Sequence, residues 1–219
     1  IVLLFVSSLF SSSQFSIETQ NDENVHISFN IGNYTLEEQE GHYKVVSESK
    51  GKIDKIGEPE LPTYSFNYAV DRNSEYEVEY NIISYEILEN IEIYPSQPVM
   101  ETDFLEKKID LYNSTNIYPQ NNLNLNRISL RGYEMLSVQI IPFEYNFLNK
   151  TLKIFTSVEI IITEAEYRQN DSNIPRSEKF ENMYKNIVIN SDTYEDSRNF
   201  QKPSVLYIME DYNAIIETL

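Results

Sequence analysis

Period-two alternation of apolar and polar residues constrains this chain more than any other feature. VHISFNI places Val25, Ile27, Phe29 and Ile31 on one side of an extended segment. YEVEYNI does the same with Tyr76, Val78, Tyr80 and Ile82, against Glu75, Glu77, Glu79 and Asn81. LKIFTSVEIII sets Leu152, Ile154, Val158, Ile160 and Ile162 against Lys153, Ser157 and Glu159. Successive side chains of a strand point to opposite faces, so each segment has one face to bury and one to wet. Such segments belong to antiparallel sheets, and further strands are expected near 42–47, 64–70, 85–93 and 134–141. Turn residues separate them at Gly32-Asn33, Gly41, Ser49 to Gly51, Asp71 to Asn73 and Asn146 to Asn149. No strand–helix–strand alternation precedes residue 203. The expected fold class is mainly β, an antiparallel β-sandwich or jelly-roll-like domain.

The alternation stops in three places. Residues 99–131 are rich in Asn, Asp, Glu and Lys and read as one long irregular connection, which in a compact domain is usually functional. Residues 164–176 read as a polar linker. Ser177–Ile189 carries Phe180, Met183, Tyr184 and Ile187 at helical spacing, with Ser177 as N-cap, and Asn190–Lys202 is polar again.

The ends have their own character. Ile1–Phe10, IVLLFVSSLF, is too short to span a bilayer and reads as the apolar part of a secretory signal. Ser11 and Ser13 are the small residues of a cut between Ser13 and Gln14. At the other end PSVLYIM, 203–209, reads as a buried strand. Tyr212, Ile215, Ile216 and Leu219 follow at the spacing of an amphipathic helix. A lone strand and helix cannot bury each other's faces, so they read as the opening of an α/β domain. The expected organisation is a partial signal at 1–13, a β-sandwich domain at 14–176, a helix and linker at 177–202, and the start of an α/β domain at 203–219.

Charge and composition exclude several functions. A formal net charge of −18 argues against nucleic acid and anionic membrane surfaces as partners, because both need Lys and Arg for neutralisation. With no cysteine, the chain has no disulfide, thiolate metal site or cysteine nucleophile. His26 and His42 are the only histidines and have no metal-ligand spacing. The carboxylates at Glu37, Glu38 and Glu40, and at Glu75, Glu77 and Glu79, read as solvated faces without a calcium-loop pattern. No nucleophile elbow, phosphate loop or dinucleotide fingerprint occurs. Asn33, Asn113, Asn149 and Asn170 begin sequons of the kind expected by chance in an Asn-rich chain. No catalytic residue, metal ligand or cofactor is expected.

Four pieces in order carry a family resemblance. They are Gly57-Glu58-Pro59-Glu60-Leu61-Pro62; Tyr94-Pro95-Ser96; Arg131-Gly132 with Ile141-Pro142-Phe143-Glu144-Tyr145-Asn146 and Thr151 to Phe155; and Phe180 to Lys185. Together they resemble the propeptide of gingipain-like cysteine peptidases, peptidase family C25. The resemblance implies a β-sandwich that assists folding, blocks the cleft of its own downstream peptidase domain and is removed by proteolysis. Catalytic residues would lie beyond Leu219, and the product would be exported.

The resemblance further implies an occluding loop after the Pro-Ser element, here within 97–108, containing Met100, Thr102, Asp103 and Phe104. Thr102 stands where Arg-specific members offer a basic residue, and Lys107 and Lys108 come later. Met100, Thr102 or Phe104 would be the inserted side chain. Arg198 matches the maturation Arg, so cleavage is expected after Arg198 or Lys202. The rival reading from the residues alone is a secreted β-sandwich binding or adhesion module, with tyrosines for sugar stacking. A free-standing enzyme is a poor third.

Overall fold

The computed structural model describes residues 14–20, 24–49, 51–98, 105–167 and 177–193. Its strands are β1 (Phe15–Gln20), β2 (Asn24–Asn30), β3 (Tyr34–Gln39), β4 (His42–Ser47), β5 (Gly51–Lys52), β6 (Pro62–Val70) and β7 (Ser74–Leu88). After a short helix α1 (Ile109–Tyr112) come β8 (Ile117–Tyr118), β9 (Leu123–Leu130), β10 (Tyr133–Ile140), β11 (Phe143–Asn146) and β12 (Thr151–Tyr167). Helix α2 (Glu178–Lys185) follows.

One six-stranded sheet has the order β1-β2-β12-β11-β8, with β7 on the other edge of β12. A four-stranded sheet has the order β5-β6-β10-β9, and β3 and β4 form a separate hairpin. All strand pairs are antiparallel. One core lies between the two larger sheets, where Phe29, Val138, Ile140, Phe143, Ile154 and Ile160 are fully buried. This is the antiparallel β fold that the alternation predicts.

The long strand β12 is the spine. One edge pairs with β7 from Leu152 to Tyr167; the other pairs with β11 at Thr151 to Ile154 and with β2 at Ser157 to Thr163. Its apolar alternation is buried, with Leu152, Val158 and Ile160 at 0% exposure. The chain crosses between sheets at Ile141-Pro142, where β10 of one sheet gives way to β11 of the other. Two hairpins close with two residues each. Glu40-Gly41 joins β3 to β4 and Arg131-Gly132 joins β9 to β10, and all four residues have positive φ, as a type I′ turn requires.

On the outer face of the four-stranded sheet, α2 covers a second, smaller cluster. Tyr184 stacks at 4.9 Å on Tyr133 beside Ala69, Met135 and Val188. The chain then runs along the free edge of β6. The Ile189 N–H donates to the Asn67 carbonyl at 2.9 Å. The Asn190 side chain accepts from the Ala69 N–H at 2.7 Å and donates to the Ala69 carbonyl at 3.0 Å. An amide side chain thereby replaces one rung of a β-ladder and seals that edge.

The structure departs from the sequence expectations in several places. The stretch 99–131 is not one irregular connection, because it contains α1, β8 and the eight-residue β9. β9 is rich in Asn, but every residue from Leu123 to Leu130 pairs with β10, so the neighbouring strand overrides its composition. The expected strands at 76–82 and 85–93 are one strand, β7, which ends at Leu88; Asn90 at φ 58° then turns the chain.

Ile82 is not inward but 41% exposed, next to a register slip in which Val158 faces Ile82 and Ser157 faces Ser84. The polar 164–167 segment belongs to β12 rather than to a linker. α2 is shorter than 177–189, and its stripe is half-used: Tyr184 is buried, while Met183 and Ile187 are exposed because the helix meets the sheet over little more than two turns. Ser177 occupies the N-cap without a side-chain cap bond. Strands β1, β3 and β5 complete the sheets without a sequence expectation of their own.

Candidate functional site

Two of the four pieces that carry the family resemblance meet in space. Residues 57–60 run antiparallel to 94–96. The Gly57 N–H donates to the Ser96 carbonyl at 2.8 Å, the Ser96 N–H to the Glu58 carbonyl at 2.8 Å, and the Glu60 N–H to the Tyr94 carbonyl at 2.9 Å. Pro59 and Pro95 face each other across this pairing, at positions where neither needs an N–H partner. The chain returns at 105–108, and the Lys108 N–H donates to the Gly57 carbonyl at 3.0 Å. Gly57 therefore binds both the outgoing stem, 94–98, and the returning stem, 105–108. It does so at φ +78°, where a Cβ would lie 3.1 Å from the Lys108 nitrogen.

The side chain of Gln97 closes the stems on each other. Its Oε1 accepts from the Glu106 N–H at 2.9 Å, and its Nε2 donates to the Glu106 carbonyl at 2.8 Å and to the Pro95 carbonyl at 2.9 Å. Both donor hydrogens and the acceptor of one carboxamide are thus committed to backbone groups.

Charge fixes the returning stem. Glu92 accepts from Lys107 and, at 2.7 Å, from Lys150; the His42 Nε2 lies 3.3 Å away. Lys107 also sits 4.3 Å over the Tyr112 ring, and the Tyr112 hydroxyl donates to the Ile93 carbonyl at 2.8 Å. Partial burial pushes the Glu92 carboxyl up, but the hydrogen bonds and charges of Lys107 and Lys150 outweigh it and hold it at about 2. Lys108 pairs with Glu58 at 2.7 Å. Burial raises the Glu58 carboxyl too, and hydrogen bonds from Lys108 and Tyr118 bring it below the usual carboxylate range. Behind these, the buried Glu60 is held between Lys44 at 3.0 Å and Lys52 at 2.7 Å.

The structure therefore brings Gln97, Lys107 and Lys108 together at the base of the expected loop. Both lysines are tied into ion pairs, Lys107 largely covered and Lys108 at the surface. Met100, Thr102, Asp103 and Phe104 lie outside the described residues, as do Ser13, Arg198, Lys202 and the 203–219 stretch. Gln14 is described, and its carbonyl accepts from the Asn30 N–H at 3.1 Å. Of the two histidines, His26 pairs with Glu159 at 2.9 Å and His42 with Glu92. No cluster of three metal-ligating side chains occurs among the described residues.

Glu92 and the Gln97 clamp were not legible beforehand. Glu92 sits in the alternating IEIY run and looks like a wet-face residue, and its partners come from three distant segments. Gln97 binds backbone, which leaves no trace in residue types.

The family model Propeptide_C25 matches residues 13–205. Gingipain R2 of Porphyromonas gingivalis is 28% identical over 158 residues, 67% of this chain and 21% of that protein, so the chain spans about a fifth of that relative's length. A solved complex of the pro- and mature domains of RgpB from Porphyromonas gingivalis superposes with TM-score 0.68 at 22% identity, covering 84% of this chain and 99% of that one. A structure on the zymogenic latency of gingipain K from the same organism gives TM-score 0.58 at 16% identity, covering 71% and 94%. These two share the fold described above. The order of the paired motifs, the sandwich and a match over most of the sequence lead to one assignment: this chain belongs to the propeptide family of C25 peptidases.

Proposed function

We propose that this propeptide packs on the peptidase domain of its own precursor and blocks the active-site cleft with the segment 97–108, until proteolysis removes it. One observation supports this reading most. The two stems of the segment are fixed to the sandwich and to each other by Gly57, Gln97 and the Lys107–Glu92 pair. A segment presented from such a base loses little freedom on docking, which is what an inhibitor bound like a product requires. Its inserted side chain is Met100, Thr102 or Phe104. A peptidase held by one of these would not need Arg or Lys at its cut site, and Lys107 and Lys108 are already engaged at the base.

Titrating the chain against the cognate peptidase tests the reading. Submicromolar inhibition that disappears when 99–104 is replaced by Gly-Gly is the expected result. Equal inhibition by the loop-deleted chain would overturn it. In the same reading the chain is exported after a cut between Ser13 and Gln14, and the peptidase is freed by cleavage after Arg198 or Lys202. N-terminal sequencing of the mature peptidase checks the second cut: a start elsewhere refutes it.

A further inference from the structure

We infer that Gln97 is the positioning residue of inhibition: its carboxamide sets the separation of the two stems from which the segment would be presented to the cleft. This rests on the reading that the segment enters the cleft. The inference starts from where backbone hydrogen bonds stop. Ser96 is paired to Gly57 and Glu58, and Lys108 to Gly57. Between these rungs and the loop the only described link from stem to stem is the Gln97 side chain, bonded to the Glu106 N–H and carbonyl. Its amide takes the place of a peptide unit that an ordinary hairpin would supply.

Each stem keeps its own anchors without Gln97. The outgoing stem holds through Gly57 and Glu58; the returning stem holds through Glu92 and Glu58. Loss of the amide therefore leaves the sandwich intact and frees only the spacing at the loop's base. The stem ends at Gln97 and Glu106 would then sample many separations, of which few fit a cleft. When only a fraction of molecules is competent, apparent affinity falls by that fraction, and the fall appears in the association rate. A residue that merely stabilised the fold would lower the melting temperature and leave the association rate of folded molecules unchanged.

The test uses the full chain against its cognate peptidase, with Gln97→Met, Gln97→Glu and the 99–104 Gly-Gly replacement run together. Gln97→Met keeps the side-chain volume and removes every hydrogen bond. Gln97→Glu keeps the acceptor but turns a carboxylate toward the Glu106 and Pro95 carbonyls. Gln97→Met is expected to weaken inhibition about tenfold, through slower association, with a melting temperature within about 2 °C of wild type. Gln97→Glu is expected to be weaker still.

Wild-type inhibition by both Gln97 variants, with the loop replacement inactive, overturns the clamp and leaves the loop reading standing. Full inhibition by the loop replacement removes the loop reading and the clamp with it. Weaker inhibition that comes with a large drop in melting temperature and an unchanged association rate assigns Gln97 a structural role, which also overturns the inference. Should Gln97→Met not fold, Gln97→Glu is read by the same criteria.

Discussion

Replacing Glu92 by Gln is the sharpest probe of the base. The carboxylate joins three segments that are far apart in sequence: His42 at the start of β4, Lys107 on the returning stem and Lys150 in the turn before β12. Its carboxyl falls from an ordinary 4.5 to about 2 in the fold. At about 1.4 kcal/mol per pH unit this corresponds to ~3 kcal/mol of preference for the ionised form. The side chain is 27% exposed and Lys150 is 58% exposed, so solvent and salt reduce that figure. A net loss of ~1–2 kcal/mol is expected for Glu92→Gln at neutral pH, or roughly 2–8 °C in melting temperature for a chain of this size.

The pH dependence has a definite sign. The folded value lies below the unfolded one, so the stabilisation is complete above about pH 4.5 and is lost as pH falls toward about 2. Thermal melts of both proteins from pH 7 to pH 2.5 should converge at the acid end, and 1 M salt should narrow the gap at pH 7. Identical melts at pH 7 would refute the reasoning, as would a gap that widens with acid.

Three further outcomes follow from the same geometry. Gly57→Ala forces a side chain into a left-handed residue 3.1 Å from the Lys108 nitrogen; a loss of ~1–2 kcal/mol is expected by urea denaturation, with weaker inhibition. Asn190→Ala leaves the Ala69 N–H and carbonyl without their partner; a loss of ~1–3 kcal/mol is expected, read from the urea midpoint. Tyr112→Phe removes only the bond to the Ile93 carbonyl; a loss of ~1 kcal/mol by the same assay is expected, and no change would show that water replaces it.

The buried strands were legible because their neighbours are. In β2 and along most of β12 the apolar positions face the core on one side, so burial follows the alternation, as at Ile27 and Ile160, while β10 is buried on both faces, with Val138 in the main core and Met135 under α2. Strands at the margins carry no such signal. β3 reads YTLEEQ and β9 reads LNLNRISL, and both exist because a two-residue turn folds them back on β4 and β10. The end of β7 misleads in the opposite direction. Ile83, Tyr85 and Ile87 are apolar at alternate positions yet more than half exposed, since an edge strand past a bulge has no opposing sheet to face. The base of the loop was half legible. The GEPELP and YPS motifs mark it, whereas its closure depends on a side chain bonded to backbone and on a carboxylate shared by distant cations.

The position of β12 at the end of the fold has a temporal consequence. β2 and β7 both find their partner there: His26 bonds Glu159 across 133 residues, and Ser74 lies opposite Tyr167. A chain made from its N-terminus can form the β3–β4 and β9–β10 hairpins early, but its larger sheet has no centre until residue 167 has emerged. Contacts of such long range make folding slow and all-or-none. Truncation anywhere before β12 would leave β7 and the inner edge of β2 without their partner and prone to association. The larger sheet therefore completes itself at its last strand, and only then do α2 and Asn190 close the outer face and the β6 edge of the other sheet.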